Sequence, residues 1–200
     1  MMTQNRHPIA RHGVHRRSRR PWLAMCVGLS LMLASVVSTW AQTTVSKEYQ
    51  IKAAYLYNFA KFVEWPASAF TNSESPLVIG VCEPNLFGDE LMAIARDHSI
   101  NGRKIVVKPV ANAADLAGVH LLFIGASHDA EVEKTLAPLK HTAILTVGES
   151  DKFEAAGGDV TFVNEENRVR FEINAPAAAR QGLKISAQIL KLARNIRKDN

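Results

Sequence analysis

Cysteine is almost missing from this chain: Cys26 and Cys82 are the only two in 200 residues. Cys26 falls in an early apolar run that reads as a leader. One thiol, Cys82, is then left, and a disulfide within the remaining chain is excluded. The usual signatures of chemistry are missing too. There is no Gly-rich phosphate loop ahead of a helix and no G-x-S-x-G elbow. His98, His120, His128 and His141 are far apart, with no His-x-x-x-His or Cys-x-x-Cys spacing for a metal. No catalytic residue, metal or cofactor is therefore expected. Ser127-His128-Asp129 resembles a triad only as text. Consecutive side chains do not face one another as base and nucleophile must, so a loop and a helix cap at Asp129 is the expected reading. A hydrolase built on scattered His and Asp residues ranks last.

A real charge excess is lacking as well. The chain carries 24 Lys and Arg against 19 Asp and Glu. Six arginines and no acid lie in residues 1–41, which leaves 18 basic against 19 acidic residues beyond them. The apparent basicity belongs to the leader and gives no support for nucleic-acid binding.

That leader is the one long apolar run. Arg6 to Arg20 are followed by Trp22–Val37 and by Thr39-Trp40-Ala41. Basic, apolar, small-x-small is the order of a secretory signal. Residues 1–41 are expected to be a signal peptide cleaved after Ala41, and 42–200 a single exported domain. An uncleaved anchor is the alternative, against which stands a run shorter than the ~20 residues of a spanning helix. Ser18–Leu23 is close to a twin-arginine signal, while the apolar run suits the general secretory route, and both stay open.

What the chain does have is an aromatic helix. Ile51, Tyr55, Phe59 and Phe62 follow one face of a 3.6-residue period, widened by Leu56 and Val63, with Lys47, Lys52, Lys61 and Glu64 over the remainder. Pro66 stops it. Strands are expected at Leu77–Cys82, Lys104–Val110, His120–Ile124 and Thr142–Val147, and helices at Leu86–Arg96 and Asp129–Leu139 between them. Gly157-Gly158 suits a left-handed helix end. Val160–Val163 and Arg168–Ile173, joined by Asn164–Asn167, read as a hairpin. Pro176–Arg197 reads as a long final helix with a stripe of Ile185, Ile189, Leu192 and Ile196. The fold class is α/β: three layers, a mostly parallel sheet, an antiparallel C-terminal hairpin, and long first and last helices.

Ligands of α/β sheets bind beyond the strands' C-terminal ends. The loops Gly125, Ser127, His128, Asp129 and Gly148, Ser150 are therefore the candidate crevice. Partner-binding candidates are Tyr49 and Tyr57, as exposed aromatics of the first helix that would also suit a homodimer seam, and Arg168, Arg170 and Glu172, as a charged strand face. Cys82 is expected to be a buried small hydrophobe, or otherwise an exposed redox-active thiol.

Lys52–Pro66, K-A-A-Y-L-Y-N-F-A-K-F-V-E-W-P, closely resembles the opening helix of the YfiR family of small periplasmic proteins. Gly157-Gly158, Arg168–Asn174, Gly182–Ser186 and Leu190–Ala193 extend the resemblance over nearly all of 47–197. It implies a non-catalytic periplasmic repressor that binds the outer portion of an inner-membrane diguanylate cyclase. Relieving it would raise cyclic di-GMP and favour biofilm. Family members with paired cysteines are tuned by disulfide state; this chain lacks the partners, so redox control is not carried over. The alternative is a periplasmic small-ligand sensor acting on another receptor, such as a histidine kinase.

Overall fold

A computed structural model describes residues 47–198. The expected signal and its cleavage point fall outside that range. Helix α1 spans residues 47–62. It runs directly into β1 (Val63–Glu64), so the helix ends before Trp65-Pro66, as proline's restriction of its predecessor requires. There follow β2 (Leu77–Cys82), α2 (Glu90–Asp97), β3 (Ser99–Ile100), β4 (Arg103–Val110), β5 (Leu121–Ile124), α3 (Val132–Leu136), β6 (Leu145–Gly148), α4 (Asp151–Ala155), β7 (Val160–Glu165) and β8 (Arg168–Asn174). The chain closes with α5 (Ala175–Arg180), β9 (Lys184–Ile185), α6 (Ala187–Leu190) and β10 (Asn195–Arg197). Among the described residues no helix is long and apolar enough to cross a membrane.

Eight strands form one sheet in the order β10-β8-β7-β6-β5-β2-β4-β3. β4, β2, β5, β6 and β7 run parallel, and β8 turns back antiparallel on β7. The parallel strands β5 and β6 are buried along their whole length, because helices cover both sheet faces. α1 and α2 cover one, packing Leu56, Phe59 and Leu91 against Ile79, Phe123, Phe162 and Phe171. α3 and α4 cover the other, with Val132, Leu136 and Phe153 on Leu122 and Ile124. β8 alternates outward Arg168 and Arg170 with inward Val169 and Phe171.

Two expectations need correction. The final segment is not one long helix. α5 stops where Gly182 takes φ +78°, with Gly182 N–H donating to Ala179 O (3.0 Å) and Leu183 N–H to Ala178 O (3.0 Å). That pair of bonds is a glycine-terminated helix end. Ile185 then pairs with Val63 in a two-stranded ribbon, and Ile196 lies in β10 beside Ile173. The isoleucines at helical spacing therefore never share a helix. Arg194 and Arg197 pair with Glu172 (3.2 Å) and Glu154 (2.6 Å), not with helix carbonyls. Nor does Asp129 cap a helix: α3 begins at Val132, and Asp129 belongs to the preceding tight turn.

Two buried features are sensitive to single changes. Gly157 (φ +93°) ends α4, and its neighbour Gly158 lies against the Phe153 ring; a Cβ there would sit 2.0 Å from Phe153 Cε1. Asp159 has no exposed surface. Its Oδ2 accepts from Thr146 N–H (2.8 Å) and Thr146 Oγ1 (2.7 Å). With the Gln181 amide nitrogen turned toward it, Oδ2 accepts a third bond (3.1 Å). Burial pushes the carboxyl up to about 6, against the opposing pull of Thr146, Gln181 and Arg180.

Gly158→Ala should lose about 3 kcal/mol in urea unfolding, by forcing Phe153 off its seat; a loss near zero would show that the ring has room to move. The raised Asp159 carboxyl contributes stability that is full below its unfolded value of 3.8 and is lost as pH rises through about 6. Asp159→Asn should therefore gain about 3 kcal/mol relative to wild type between pH 4 and pH 7. Parallel stability curves for the two proteins would refute that assignment.

Candidate functional site

The C-terminal ends of β5, β6 and β7 open toward the first turn of α1. A groove of about 690 Å3 lies there. Its floor is a charge cluster. Glu149, immediately after β6, receives three donors: Tyr49 OH (2.9 Å) and the Ala126 N–H (3.0 Å) at Oε1, and Lys52 Nζ (2.5 Å) at Oε2. Lys52 also pairs with Glu48 one turn earlier (2.5 Å), and Asn164 of β7 donates to Glu48 (3.2 Å). The Lys52 side chain is only 5% exposed and that of Glu149 8%. The ammonium stands 4.6 Å from the Tyr49 ring centroid, a cation–π distance.

A buried lysine is tolerable only when paired and hydrogen-bonded, and two carboxylates meet that need here. Burial raises the Tyr49 phenol well above its usual range, and the Glu149 charge adds to this. For Glu48 burial acts upward, but the hydrogen bonds from Lys52 and Asn164 and the Lys52 charge outweigh it and leave the carboxyl below its ordinary value. Asp151 and Arg194 border the groove, so its rim carries both signs.

The residues singled out from sequence do not meet in one place. Gly125 lies beneath the groove, where a Cβ would approach Glu149 Oε1 at 3.4 Å. Gly148 makes room on the other face of the sheet: a Cβ would meet the Phe153 ring at 2.3 Å. Ser150 caps α4, its Oγ accepting from Phe153 N–H (3.1 Å). Ser127 Oγ is 3.2 Å from His128 Nδ1, but no carboxylate among the described residues hydrogen-bonds that imidazole. His128 lines a separate cavity with Glu131, Lys134 and Cys82. Cys82 is a buried free thiol, pushed up to about 11 by burial. Asp129 is half-buried in the turn between them.

The partner candidates are dispersed as well. Tyr49 is committed to Glu149, and Tyr57 packs on His98 of the loop after α2, 5.0 Å between centroids. Arg168 and Arg170 are exposed toward the opposite flank of the sheet, and Glu172 is half-buried against Arg194. Among the described residues no three His, Cys, Asp or Glu side chains cluster as metal ligands.

Sequence reasoning passed over Lys52 and Glu48, and it took in Glu149 only as part of the Gly148–Ser150 loop without singling it out. A signal existed for the first. Lys52 stands four, seven and eleven residues before Leu56, Phe59 and Val63, all of them buried, so it lies on the buried stripe rather than the polar remainder. Nothing local marked Glu149, because its partners are about a hundred residues away.

This is an open α/β sheet covered on both faces, with a saturated charge cluster at its strand ends. The chain belongs to the YfiR/HmsC-like family, whose model (DUF4154) matches residues 49–194. That family has a regulatory, non-catalytic role in cyclic di-GMP signalling. A conserved domain protein from Vibrio cholerae O1 biovar El Tor str. N16961 is a similar solved structure. It shares 15% identity at a TM-score of 0.43, with 60% of this chain and 54% of that one covered, so this chain spans about half of its length. None of the curated proteins matches.

Glu149→Ala should cost about 3–5 kcal/mol, because it removes one of the two partners of a buried ammonium. Lys52→Met combined with Glu149→Ala should cost less than Glu149→Ala alone. Urea unfolding of wild type, Lys52→Met, Glu149→Ala and the double variant measures this, and strictly additive losses would show that the pair is not coupled.

Proposed function

We propose that this chain is an exported regulator that works in the periplasm, binding the outer portion of an inner-membrane diguanylate cyclase and holding it inactive. The observation that carries the reading is the family match, which spans residues 49–194. The order of basic, apolar and small residues in 1–41 supports export.

Repression of this kind needs no chemistry. It needs a domain that binds the inactive conformation of the receptor more tightly than the active one, since only differential affinity moves an equilibrium. Moving a receptor from 99% active to 99% inactive takes roughly a 10⁴-fold preference. A domain whose polar cluster is already saturated, and whose helices are anchored by aromatic packing, changes little on binding and spends little of that preference on ordering itself.

The strand-end groove supports a second reading, a small-ligand sensor acting on another receptor such as a histidine kinase. The groove has the right place in the fold and polar groups of both signs.

Tagged at its C-terminus and expressed in its own host, the chain should bring down a membrane diguanylate cyclase after gentle solubilisation, enriched over an untagged control. Deleting the chain should raise cyclic di-GMP severalfold. Recovery of a sensor kinase instead, with cyclic di-GMP unchanged, would replace the first reading with the second.

A further inference from the structure

We propose that the open edge of β4, with the groove between it and α2, is a docking surface for an extended acidic segment of the regulated receptor, which adds to the sheet as a strand. This rests on the regulator reading above.

β4 pairs with β2 along one side. On its other side β3 reaches only Arg103 and Lys104. From Ile105 to Lys108 no strand among the described residues covers it, and Pro109, which has no N–H, ends the run. A row of unpaired amides and carbonyls is a template for another strand. Beside it lies a groove of about 510 Å3. Met92 and Ala95 of α2 line it, and Val106 borders it from the other face of β4; Met92 and Val106 are 40% and 41% exposed. Arg96, His98 and Lys104 supply its polar lining, and no carboxylate does. The strand-end groove, by contrast, carries both signs.

Charge and proline commonly blunt an edge against pairing. Here they select a partner. Ser99 of β3 already stands opposite Lys104, so the open run is Ile105–Lys108, with Lys104 and Lys108 at its two ends on the face of Val106. The same lysines favour a strand with carboxylates on that face. By alternation, Ile105 and Val107 turn to the other face, toward α2. A strand with acidic side chains on one face and apolar ones on the other would answer Lys104, and Lys108 beside its bond to Ala117 O (3.0 Å), with the first and Met92 and Ala95 with the second. Backbone bonds supply affinity in such strand addition, and alternate side chains supply specificity.

The test is an NMR titration of the ¹⁵N-labelled protein, as its host makes it, with the heptapeptide acetyl-Val-Glu-Val-Glu-Val-Glu-Val-amide. Amide shifts should be confined to residues 92–96 and 104–108. Lys104→Glu with Val106→Glu, both at exposed positions, should weaken binding at least tenfold without changing the far-UV spectrum, and Lys104→Glu alone should weaken it less. A peptide with Lys in place of Glu should not bind. The proposal is overturned by absence of shifts at millimolar peptide, by shifts centred on the strand-end groove or on Arg168 and Arg170, or by equal binding of the Lys peptide. Failure to recover a cyclase in the tagged purification would remove the regulator reading and leave these shifts where they are, so the two failures are distinct.

Discussion

Phe59 has no solvent-exposed surface, and its ring lies 5.0 Å from Phe171 and 5.8 Å from Phe162 between centroids. Tyr55, one turn earlier, touches the same two rings. This aromatic contact holds α1 across β7 and β8, the point where the parallel sheet becomes antiparallel. Burial of the Phe59, Phe162 and Phe171 rings in one cluster contributes on the order of 2–3 kcal/mol per ring. It also fixes where the rest of α1 must go. With Phe59 seated, Lys52 is drawn under the same helix into a nearly buried place, and Glu48 and Glu149 pair with it there. The strand-end cluster is thus a consequence of aromatic packing: a charge is buried because the residues around it must be.

The same seating organises the end of the chain. α1 continues into β1, and β1 is the partner of β9. Ser186 N–H donates to Phe62 O (3.0 Å), which extends that ribbon onto the last residues of the helix. Past it, Ile189 returns to the core under α1, and Arg194 N–H donates to Phe171 O (2.8 Å) before β10 joins β8. The C-terminal segment is tied first to the aromatic helix and then to the strand beneath it. A continuous helix from Pro176 onward would satisfy its own backbone but forgo both attachments.

This explains what could and could not be read in advance. The strand Leu77–Cys82 was legible because a β-branched run bounded by turn formers has few other uses, and β8 because its alternation leaves one wet face. α1 was legible because its period is carried by aromatics that cannot stay in water. The final segment was not: its isoleucines repeat at helical spacing, yet the repeat is overridden by Gly182 and by ribbon pairing with a strand 120 residues earlier. The candidate crevice shows the same division. The strand-end loops could be placed from topology. The side chain at their centre, Glu149, could not, because its significance depends on a lysine and a tyrosine brought in by α1. Glycine was read for its conformational freedom, and that was right for Gly157. Gly148 and Gly158 are constrained instead by Phe153, a tertiary fact invisible along the chain.

Toward the N-terminal ends of the strands, where Asp159 also lies, His120 is a second buried polar group. His120 Nδ1 accepts from Val78 N–H (3.1 Å), and Nε2 faces Ala69 O at 3.0 Å, so the neutral ring with its proton on Nε2 satisfies both. Phe70 stacks on it at 4.4 Å, with the Arg103 guanidinium on Phe70's ring, 3.9 Å from its centroid. Burial, and then the Arg103 charge, lower the imidazole below its usual value against the pull of the Ala69 carbonyl. A base lowered on folding contributes stability that is full above its unfolded value of 6.5 and is lost as pH falls below it. The Asp159 contribution runs the other way, growing as pH falls through about 6. In the mildly acid range the two contributions change with pH in opposite directions. One group ties the start of β2 to the residue before β5, and the other joins β6, β7 and the end of α5.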